Sequence, residues 1–420
     1  MRLRIAAAAA LALTLTACAP STSAPSSTAT DGGPRTGALK VWLFDEPNRA
    51  PKEEVVKKAI AEFTASHPDT TVDVQYIAVD TRSERFKGAF NDPASAPDVV
   101  EYGNTDLPEY ASAGGLAALG PVVSAWSEGA DLTADAKASA TYQGTLLGVP
   151  WYVGVRALYY RTDVFDELGL TAPATLAELT TAARTVRAKK PDMFGIAVGG
   201  KYTFGALPFV WANGGDITSI NSAGSRAGLK AYTDLIADDV CPPQNCADLT
   251  GGKTVELFAS GKAAMGIAGN FNRAAVDAGA AKGKYAVVPL PGVTAGSVAP
   301  AFAGGNNLGI MKNAQRPALA ADFLTLLASK KYQAEMYDAM GNLPTLKSAS
   351  DEVVAKDAFV KPFVDTINAG TKFVPLDPGW GKIDASAVLP TMIEKVATGK
   401  ASVEQATDEA AKLIDEALTQ

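Results

Sequence analysis

Apolar and polar positions change their spacing several times along the chain, and these changes predict alternating strands and helices. Residues 38–44 (ALKVWLF), 71–77 (TVDVQYI) and 97–103 (PDVVEYG) are short runs rich in β-branched and aromatic side chains, which is typical of strands. Between the first two runs, residues 51–66 repeat apolar side chains at the spacing of one helical face. This alternation predicts an α/β fold.

A long β-like run over residues 144–163 is interrupted by Pro150 and Gly154. A strand of that length would overrun a single sheet, so the run predicts a crossing between two domains, with a hinge at residues 153–155. Residues 284–292 (KYAVVPLPG) are predicted to be the return crossing, with hinge motion also around residues 286–288. Other predicted strands cover residues 194–199, 262–268, 284–291 and 306–312, and other predicted helices cover residues 176–189, 223–237 and 253–260.

The remaining pattern is almost entirely helical, and the length of the chain supports two domains. The clearest C-terminal helices are predicted at residues 318–337, 358–369, 385–397 and 403–418. The chain has 420 residues, which exceeds what one hydrophobic core usually organises. Its formal net charge of -7 is spread along the sequence, which argues against nucleic acid or anionic lipid headgroups as partners.

The N-terminal residues have the pattern of an export signal followed by a tether. Arg2 and Arg4 precede an apolar run too short to span a bilayer, and residues 15–18 (LTAC) resemble a lipobox. We therefore expect residues 1–17 to be a lipoprotein signal peptide and Cys18 to carry the lipid anchor. Residues 18–37, rich in Ser, Thr, Pro and Gly, are predicted to be a disordered tether on the extracellular face of the cytoplasmic membrane. The alternative is ordinary signal cleavage that leaves a free thiol.

The two other cysteines, Cys241 and Cys246, lie close together in the loop sequence CPPQNC. In an exported chain such a pair most simply forms one disulfide that staples a surface loop. A metal site is the alternative, but no further Cys or His lies nearby. The sequence predicts no metal and no cofactor.

The inventory of reactive side chains argues against most enzyme mechanisms. His67 is the only histidine, which removes Ser-His-Asp, Cys-His and multi-His zinc chemistry. No GxxxxGK[ST] loop is present, so the chain does not hydrolyse ATP itself. A secreted hydrolase with a carboxylate pair and a surface scaffold without a small ligand remain as alternatives to a binding protein.

Ordered motifs from about residue 38 to the C-terminus resemble the extracellular solute-binding proteins of family 1, the sugar receptors of ABC importers related to maltose-binding protein. The resemblance rests on the number, order and spacing of the motifs LKVWLFDE, HPDTTVDVQY, PDVVEYGNT, GVPWYVGVRALYYRTD, WANGGDI, LFASGKAAMGIAGN, VVPLPG, FAGGNNLGI and DPGWGKI. It implies the type II periplasmic-binding-protein-like fold, in which two α/β lobes joined by crossover strands close over a ligand cleft. It also implies a monomer that delivers a sugar to ABC permease subunits and binds no nucleic acid. The implied N-terminal lobe comprises residues 38–152 and 288–340, and the implied C-terminal lobe comprises residues 153–287 and 341–420.

The candidate ligand-binding residues follow strand ends, because ligands of open α/β sheets bind where the strands end. Aromatic rings can pack on the apolar faces of a sugar, and carboxylates and amides can bind its hydroxyl rim. The predicted ligand-binding residues are Asp45, Glu46, Tyr102, Asn104, Asp106, Trp151, Tyr152, Trp211, Asn270, Asn306 and Trp380. Trp151, Trp211 and Trp380 are chosen because the resemblance places sugar platforms in these loops, while Trp42 and Trp126 are assigned to the core.

Two details of the predicted site follow from strand geometry and composition. Glu101 and Tyr102 alternate across a strand, so only one of them is expected to face the cleft. Gly304 and Gly305 would let the backbone approach the ligand or the other lobe closely. Several aromatic rings favour a di- or trisaccharide over a monosaccharide.

Overall fold

The computed structural model describes residues 33–46 and 48–418 of the chain. The predicted signal peptide, Cys18 and residues 18–32 of the predicted tether lie outside the described residues. Within the described ranges, no helix is long and apolar enough to cross a membrane.

The described residues form two main sheets, two strand pairs and many helices. The strands are β1 (Gly37–Asp45), β2 (Thr70–Ala78), β3 (Val99–Gly103), β4 (Thr141–Tyr142), β5 (Thr145–Leu146), β6 (Val149–Gly154), β7 (Arg156–Arg161), β8 (Met265–Gly269), β9 (Tyr285–Val288), β10 (Ala301–Phe302), β11 (Gly304–Ile310), β12 (Leu343–Pro344) and β13 (Thr371–Lys372).

The helices pack on both sheets and dominate the last quarter of the chain. They are α1 (Arg49–Ser66), α2 (Arg82–Asn91), α3 (Leu107–Ser112), α4 (Gly120–Ala125), α5 (Ala134–Ala138), α6 (Thr162–Leu168), α7 (Leu176–Lys189), α8 (Thr203–Ala212), α9 (Ala223–Ala237), α10 (Pro243–Cys246), α11 (Gly251–Ala259), α12 (Arg273–Asp277), α13 (Pro317–Leu327), α14 (Lys330–Met340), α15 (Lys347–Lys356), α16 (Lys361–Ala369), α17 (Trp380–Ala385), α18 (Val388–Ala397) and α19 (Val403–Leu418). Single 3-10 turns occur at Val79–Thr81, Gly129–Asp131, Ile217–Ser219, Asn270–Asn272 and Ala358–Val360.

The larger sheet has six strands in the order β12-β6-β11-β3-β1-β2. Its strands β2, β1 and β3 are parallel, while β11 runs antiparallel to both β3 and β6, and β12 runs antiparallel to β6. The smaller sheet has the order β8-β7-β9, with both neighbours antiparallel to β7. We call the parts built on these sheets the large-sheet lobe and the small-sheet lobe.

The chain crosses between the sheets inside the long β-like run, as predicted. β6 belongs to the large sheet and β7 to the small sheet, and Val155 alone separates them. The return begins after β9, so the predicted return segment starts in the small sheet, and the chain rejoins the large sheet at β11. The predicted two-lobed α/β architecture is therefore confirmed. The exact domain boundaries stay predictions, and β12 pairs with β6 just after the boundary expected at residue 340.

Each lobe buries its own apolar interior. In the large-sheet lobe, α1 lies against α13 and α14 and buries Val55, Val56, Ala59 and Phe63. In the small-sheet lobe, α8, α9, α18 and α19 pack together around one core. The predicted disulfide is present: Cys241 and Cys246 are bonded, with their Cα atoms 5.8 Å apart, and both are buried.

Candidate ligand-binding cleft

A cavity of about 320 Å³ lies between the two lobes, where β1, β3 and β6 end. The large-sheet lobe contributes Glu46, Asn104, Asp106, Tyr152 and Asn306 to its lining, and the small-sheet lobe contributes Arg156, Phe204 and Phe271. We call this cavity the Tyr152 chamber. Its position agrees with the expectation that ligands of α/β sheets bind beyond the strand ends.

A second cavity of about 440 Å³ adjoins the first and is lined by Tyr202, Phe302 and Trp380, among others. We call it the Trp380 chamber. Arg82, Thr105, Arg156 and Phe204 line both cavities, so the two chambers form one continuous cleft.

The large-sheet wall of the Tyr152 chamber is held by a buried ion pair. Lys52 and Glu101 are both completely buried, and the Lys52 Nζ atom lies 2.8 Å from Glu101 Oε2 and 2.9 Å from Glu46 Oε1. Burial alone would lower the pKa of Lys52, but the charges of Glu101 and Glu46 and their hydrogen bonds outweigh it, so the pKa is raised. Lys52 reaches this position because it lies on the buried face of α1, three and four residues before the buried Val55 and Val56.

This ion pair fixes two side chains that line the chamber. The Tyr152 hydroxyl donates to Glu101 Oε1 at 2.6 Å, and burial followed by the two neighbouring carboxylates raises the pKa of Tyr152 well above its usual value. Asn306 Nδ2 donates to the Tyr152 oxygen and to Glu101 Oε1, both at 2.6 Å. Because these bonds use both amide hydrogens, Asn306 is left with its carbonyl oxygen for a ligand. This wall therefore offers acceptors at Asn306 and Glu46, whereas the amide nitrogen of Asn342, which also lines the chamber, has no partner among the described residues and is available as a donor.

A second ion pair, Arg82 with Asp106, closes the side of the chamber next to α3. Arg82 Nε lies 3.0 and 2.9 Å from the two Asp106 oxygens, and Arg82 Nη2 lies 2.9 Å from Oδ1. Burial opposes the charge on Arg82, but the hydrogen bonds and charge of Asp106 raise its pKa. The Gly103 amide also donates to Asp106 at 3.0 Å, so both charges are satisfied within the protein.

The small-sheet wall is aromatic. The guanidinium of Arg156 lies 3.9 Å from the centre of the Phe204 ring and 5.3 Å from that of Phe271. Phe204 in turn stacks on Phe302, with the ring centres 4.1 Å apart. Phe271 is 37% exposed, so its ring is open to a ligand.

The structure brings six of the predicted site residues to the cleft. Glu46, Asn104, Asp106, Tyr152 and Asn306 line the Tyr152 chamber, and Trp380 lines the other. Asn104 donates its side-chain amide to the Ala303 carbonyl at 2.9 Å. The buried Nε1 of Trp380 has no hydrogen-bond partner among the described residues.

The other predicted site residues line neither the Tyr152 chamber nor the Trp380 chamber. Trp151 and Tyr102 are completely buried in the large-sheet lobe, and Trp211 is buried in the core of the small-sheet lobe. Asp45 is exposed and lies 3.3 Å from Arg49. Asn270 accepts from the Val155 amide at 3.2 Å and donates to the Gly341 carbonyl at 2.7 Å, so it connects the crossover to the segment before β12.

Sequence reasoning did not select Lys52, Arg82, Arg156 or Phe204 as ligand-binding residues. Two of them carry a signal that could have been used: Arg156 interrupts an apolar run directly after the crossover, and Lys52 occupies the apolar stripe of its helix. A charged residue on a buried face needs a partner, and that partner indicates where polar groups converge.

Gly154 and Gly305 have packing reasons to be glycine. A Cβ atom on Gly154 would lie 2.8 Å from the Phe271 ring, and one on Gly305 would collide with the Tyr152 carbonyl. Both glycines therefore allow close approach of chain segments at the cleft, and the segment that Gly305 approaches is the neighbouring strand β6 of its own sheet.

Two α/β lobes, joined by crossing strands around a polar and aromatic cleft, define a two-lobed solute receptor. The chain belongs to the bacterial extracellular solute-binding protein family, whose model matches residues 47–334. The resemblance predicted from the motifs is thereby confirmed. The members of this family are binding proteins, so the expectation that the chain is not an enzyme is also confirmed.

Several relatives are similar over most of their length. The diacetylchitobiose binding protein DasA of Streptomyces coelicolor is 26% identical over 327 residues, which is 74% of each chain. The lactose-binding protein of Rhizobium radiobacter is 25% identical over 319 residues, covering 70% of this chain and 71% of its own. The solved structure of the sugar-binding protein MalE from Xanthomonas citri is 26% identical, with a TM-score of 0.80 over 91% of this chain and 97% of its own.

Proposed function

We propose that the protein is a receptor that binds a carbohydrate between its lobes and delivers it to an ABC-type permease. The observation that carries the proposal is the composition of the cleft: exposed aromatic surface on one wall faces fixed carboxylate and amide oxygens on the other. Aromatic rings pack on the C–H faces of a pyranose, and acceptors bind its hydroxyl hydrogens. Relatives named for diacetylchitobiose and lactose support the same class of ligand.

The contacts are assigned to the residues that line the cleft. We assign the hydroxyl rim to Glu46, Asn104, Asp106, Tyr152 and Asn306, and the sugar faces to Phe204, Phe271 and Trp380. Asp45, Tyr102, Trp151, Trp211 and Asn270 support the cleft from outside its lining. Two adjoining chambers, the second with an unpartnered indole N–H, favour a ligand of two or more rings over a monosaccharide.

The proposal extends to the cell surface. Cys18 carries the lipid anchor, and the segment after it is a tether that keeps the receptor on the outer face of the cytoplasmic membrane while it reaches the permease. Sugar contacts to both walls favour the closed arrangement of the lobes, because only that arrangement makes both sets of contacts. The closed receptor is the form that the permease recognises.

Thermal unfolding with a panel of mono- and oligosaccharides tests the binding step. A ligand at a hundredfold excess over its Kd stabilises the native state by about 2.7 kcal/mol, which is a measurable rise in Tm. Tyr152→Phe should weaken the same sugar about tenfold, because it removes a hydroxyl at the centre of the acceptor wall. If no sugar changes Tm, a surface scaffold without a small ligand becomes the better explanation.

Loss of radiolabelled sugar uptake tests the transport step. Cells in which Cys18→Ala replaces the native protein should release the receptor and lose uptake at low sugar concentration. Retained uptake with the receptor still on the membrane would contradict the anchor.

A further inference from the structure

We infer that the preferred ligand is an acidic carbohydrate, whose anionic oxygens bind the guanidinium of Arg156. The inference rests on the proposed carbohydrate-binding function and specifies the chemical class of the ligand. A uronic acid carboxylate and a sugar phosphate would supply the same chemistry, and the experiment below distinguishes them.

Charged side chains of both signs surround the Tyr152 chamber. Four ionisable side chains with full charges line it: Glu46, Arg82, Asp106 and Arg156. Glu46 is paired with Lys52 at 2.9 Å, and Arg82 is paired with Asp106. Arg82 and Asp106 neutralise each other, whereas Glu46 shares Lys52 with the buried Glu101, so that cluster keeps one negative charge.

The fourth charge has no counter-ion in the part of the chain that the structure describes. No carboxylate among those residues lies within 4.0 Å of Arg156, whose guanidinium lies over the rings of Phe204 and Phe271. The Tyr202 phenol is a polar neighbour of Arg156: burial raises its pKa, and the charge and hydrogen bond of Arg156 only partly oppose that rise. The neutral hydroxyl donates to the Ile267 carbonyl at 3.2 Å and supplies no negative charge.

The charged groups of the adjoining Trp380 chamber are engaged elsewhere. Lys201 lies 2.9 Å from Asp248 and 3.4 Å from Glu394. Asp384 acts on the other cation, since its charge is one of those that raise the pKa of Arg82. Among the described residues that line the cleft, Arg156 is thus the cation that no carboxylate contacts.

The surroundings of Arg156 hold its guanidinium ready for an anion. Ring faces on either side restrict the plane of the guanidinium and partly offset its desolvation when the lobes close. Gly304 leaves space next to it, because a Cβ atom there would lie 3.4 Å from Nη1. A planar guanidinium can then offer two parallel N–H groups to one carboxylate or phosphate.

Closure makes this unpaired charge important. A water-excluding cleft removes solvent from Arg156, and an unpaired charge loses more by desolvation than a neutral group does. An anionic ligand would replace that water with two parallel hydrogen bonds between opposite charges, whereas a neutral hydroxyl offers the guanidinium only a dipole. A neutral sugar lacks this compensation.

Matched pairs of acidic and neutral sugars test the inference by titration calorimetry at about 0.15 M salt, where exposed charges are largely screened. The probes are digalacturonate with galactobiose, and glucuronate and glucose 6-phosphate with glucose. We expect an acid to bind at least about tenfold more tightly than its neutral partner. The carboxylate and phosphate arms show which anion the site prefers.

Two substitutions at Arg156 and one control distinguish recognition from general charge effects. Arg156→Gln should reduce the affinity for the acid to that for the neutral sugar, while Arg156→Lys should keep part of the preference. Arg187→Gln is the matched control, because Arg187 also lies over a phenylalanine ring, that of Phe194, but outside the cleft lining. It should leave both affinities unchanged.

The outcomes separate this inference from the proposed function. Equal or tighter binding of the neutral sugars, or an equal loss of both affinities in Arg156→Gln, overturns the acidic ligand and leaves a sugar receptor. Binding of neither kind of sugar to the native protein overturns both.

Discussion

On the large-sheet side of the cleft, Tyr152 and Asn306 are held by hydrogen bonds to the buried Glu101–Lys52 pair. On the small-sheet side, Arg156 meets the faces of Phe204 and Phe271 instead of a carboxylate. The first wall is fixed by interactions that also belong to the core of its lobe, whereas the second depends on side chains at the surface of its lobe. Substitutions should therefore affect folding on one side and ligand affinity on the other.

The largest expected effect is that of Lys52→Met. It leaves Glu101 buried without its counter-ion, which should lower the free energy of unfolding by about 3–5 kcal/mol. Urea denaturation measures this change. Lys58→Met is the matched control, because the Lys58–Glu335 pair of the same helix is exposed and should contribute only about 0–1 kcal/mol.

A second substitution separates the unpaired charge from the loss of packing. Glu101→Gln, added to Lys52→Met, removes the buried charge but keeps an amide at hydrogen-bonding distance from Tyr152. The double variant should recover a large part of the lost stability. If it is as unstable as Lys52→Met, packing around the lysine stem rather than its charge holds this wall.

The pH dependence of unfolding is expected to be the next largest effect. The folded-state pKa of Lys52 is raised above its usual value of 10.5, so the protonated lysine stabilises the fold fully below pH 10.5. That contribution is lost as the pH rises through the folded-state pKa. The raised pKa of Tyr152 acts in the same direction, since ionisation of the phenol also opposes folding.

Urea denaturation between about pH 8 and 12, with the native protein and the Lys52→Met/Glu101→Gln variant, measures this dependence. Their stability difference should be constant at first and then shrink at the alkaline end. A difference that stays constant over the whole range would show that Lys52 keeps its usual pKa.

On the aromatic wall, Phe271→Ala should weaken sugar binding and leave stability almost unchanged. The ring is 37% exposed, so little buried surface is lost, while a stacking contact is worth about 0.5–1.5 kcal/mol, or roughly two- to tenfold in Kd. Calorimetry with the sugar found by the thermal panel measures the change. Leu413→Ala, at a similarly exposed apolar residue of α19, should change neither property. If Phe271→Ala lowered the free energy of unfolding by several kcal/mol, the aromatic wall would affect folding as the other wall does, and the contrast between the two walls would not hold.

The smallest effect is expected for Asp45→Ala. Asp45 is exposed, and its ion pair with Arg49 lies in solvent, so we expect a change of less than about 0.5 kcal/mol in stability. The affinity for sugar should stay within about twofold, since Asp45 does not line either chamber. A larger loss of affinity would show that Asp45 contacts the ligand after closure.

The fold could be predicted from the sequence where the same spacing of apolar residues continued over a whole helix or strand. The helices at Leu176–Lys189 and Ala223–Ala237 have the predicted bounds, and the long β-like run does pass from one sheet to the other. The helix at Thr203–Ala212 was not predicted. It contains Gly205 and Pro208 and is apolar on nearly all sides, so neither helix propensity nor periodicity marks it.

The candidate site was less predictable because the direction of a strand side chain depends on register. Trp151 and Tyr152 are consecutive and their ring centres lie 5.2 Å apart, yet Trp151 is completely buried and only Tyr152 lines the cleft. Glu101 and Tyr102 differ in a similar way: Glu101 bonds to Tyr152 and Asn306, while Tyr102 packs into the core. Sequence identifies such pairs but does not determine which member faces the ligand.

Asn270 and Phe271 are neighbours in one 3-10 turn, yet they serve different parts of the molecule. The amide of Asn270 bonds to the crossover at Val155 and to Gly341, whereas the ring of Phe271 lines the Tyr152 chamber. A ligand that displaces the ring therefore acts one peptide bond away from the joint between the lobes. We therefore expect occupancy of the cleft to be sensed at this joint, through the two hydrogen bonds of Asn270.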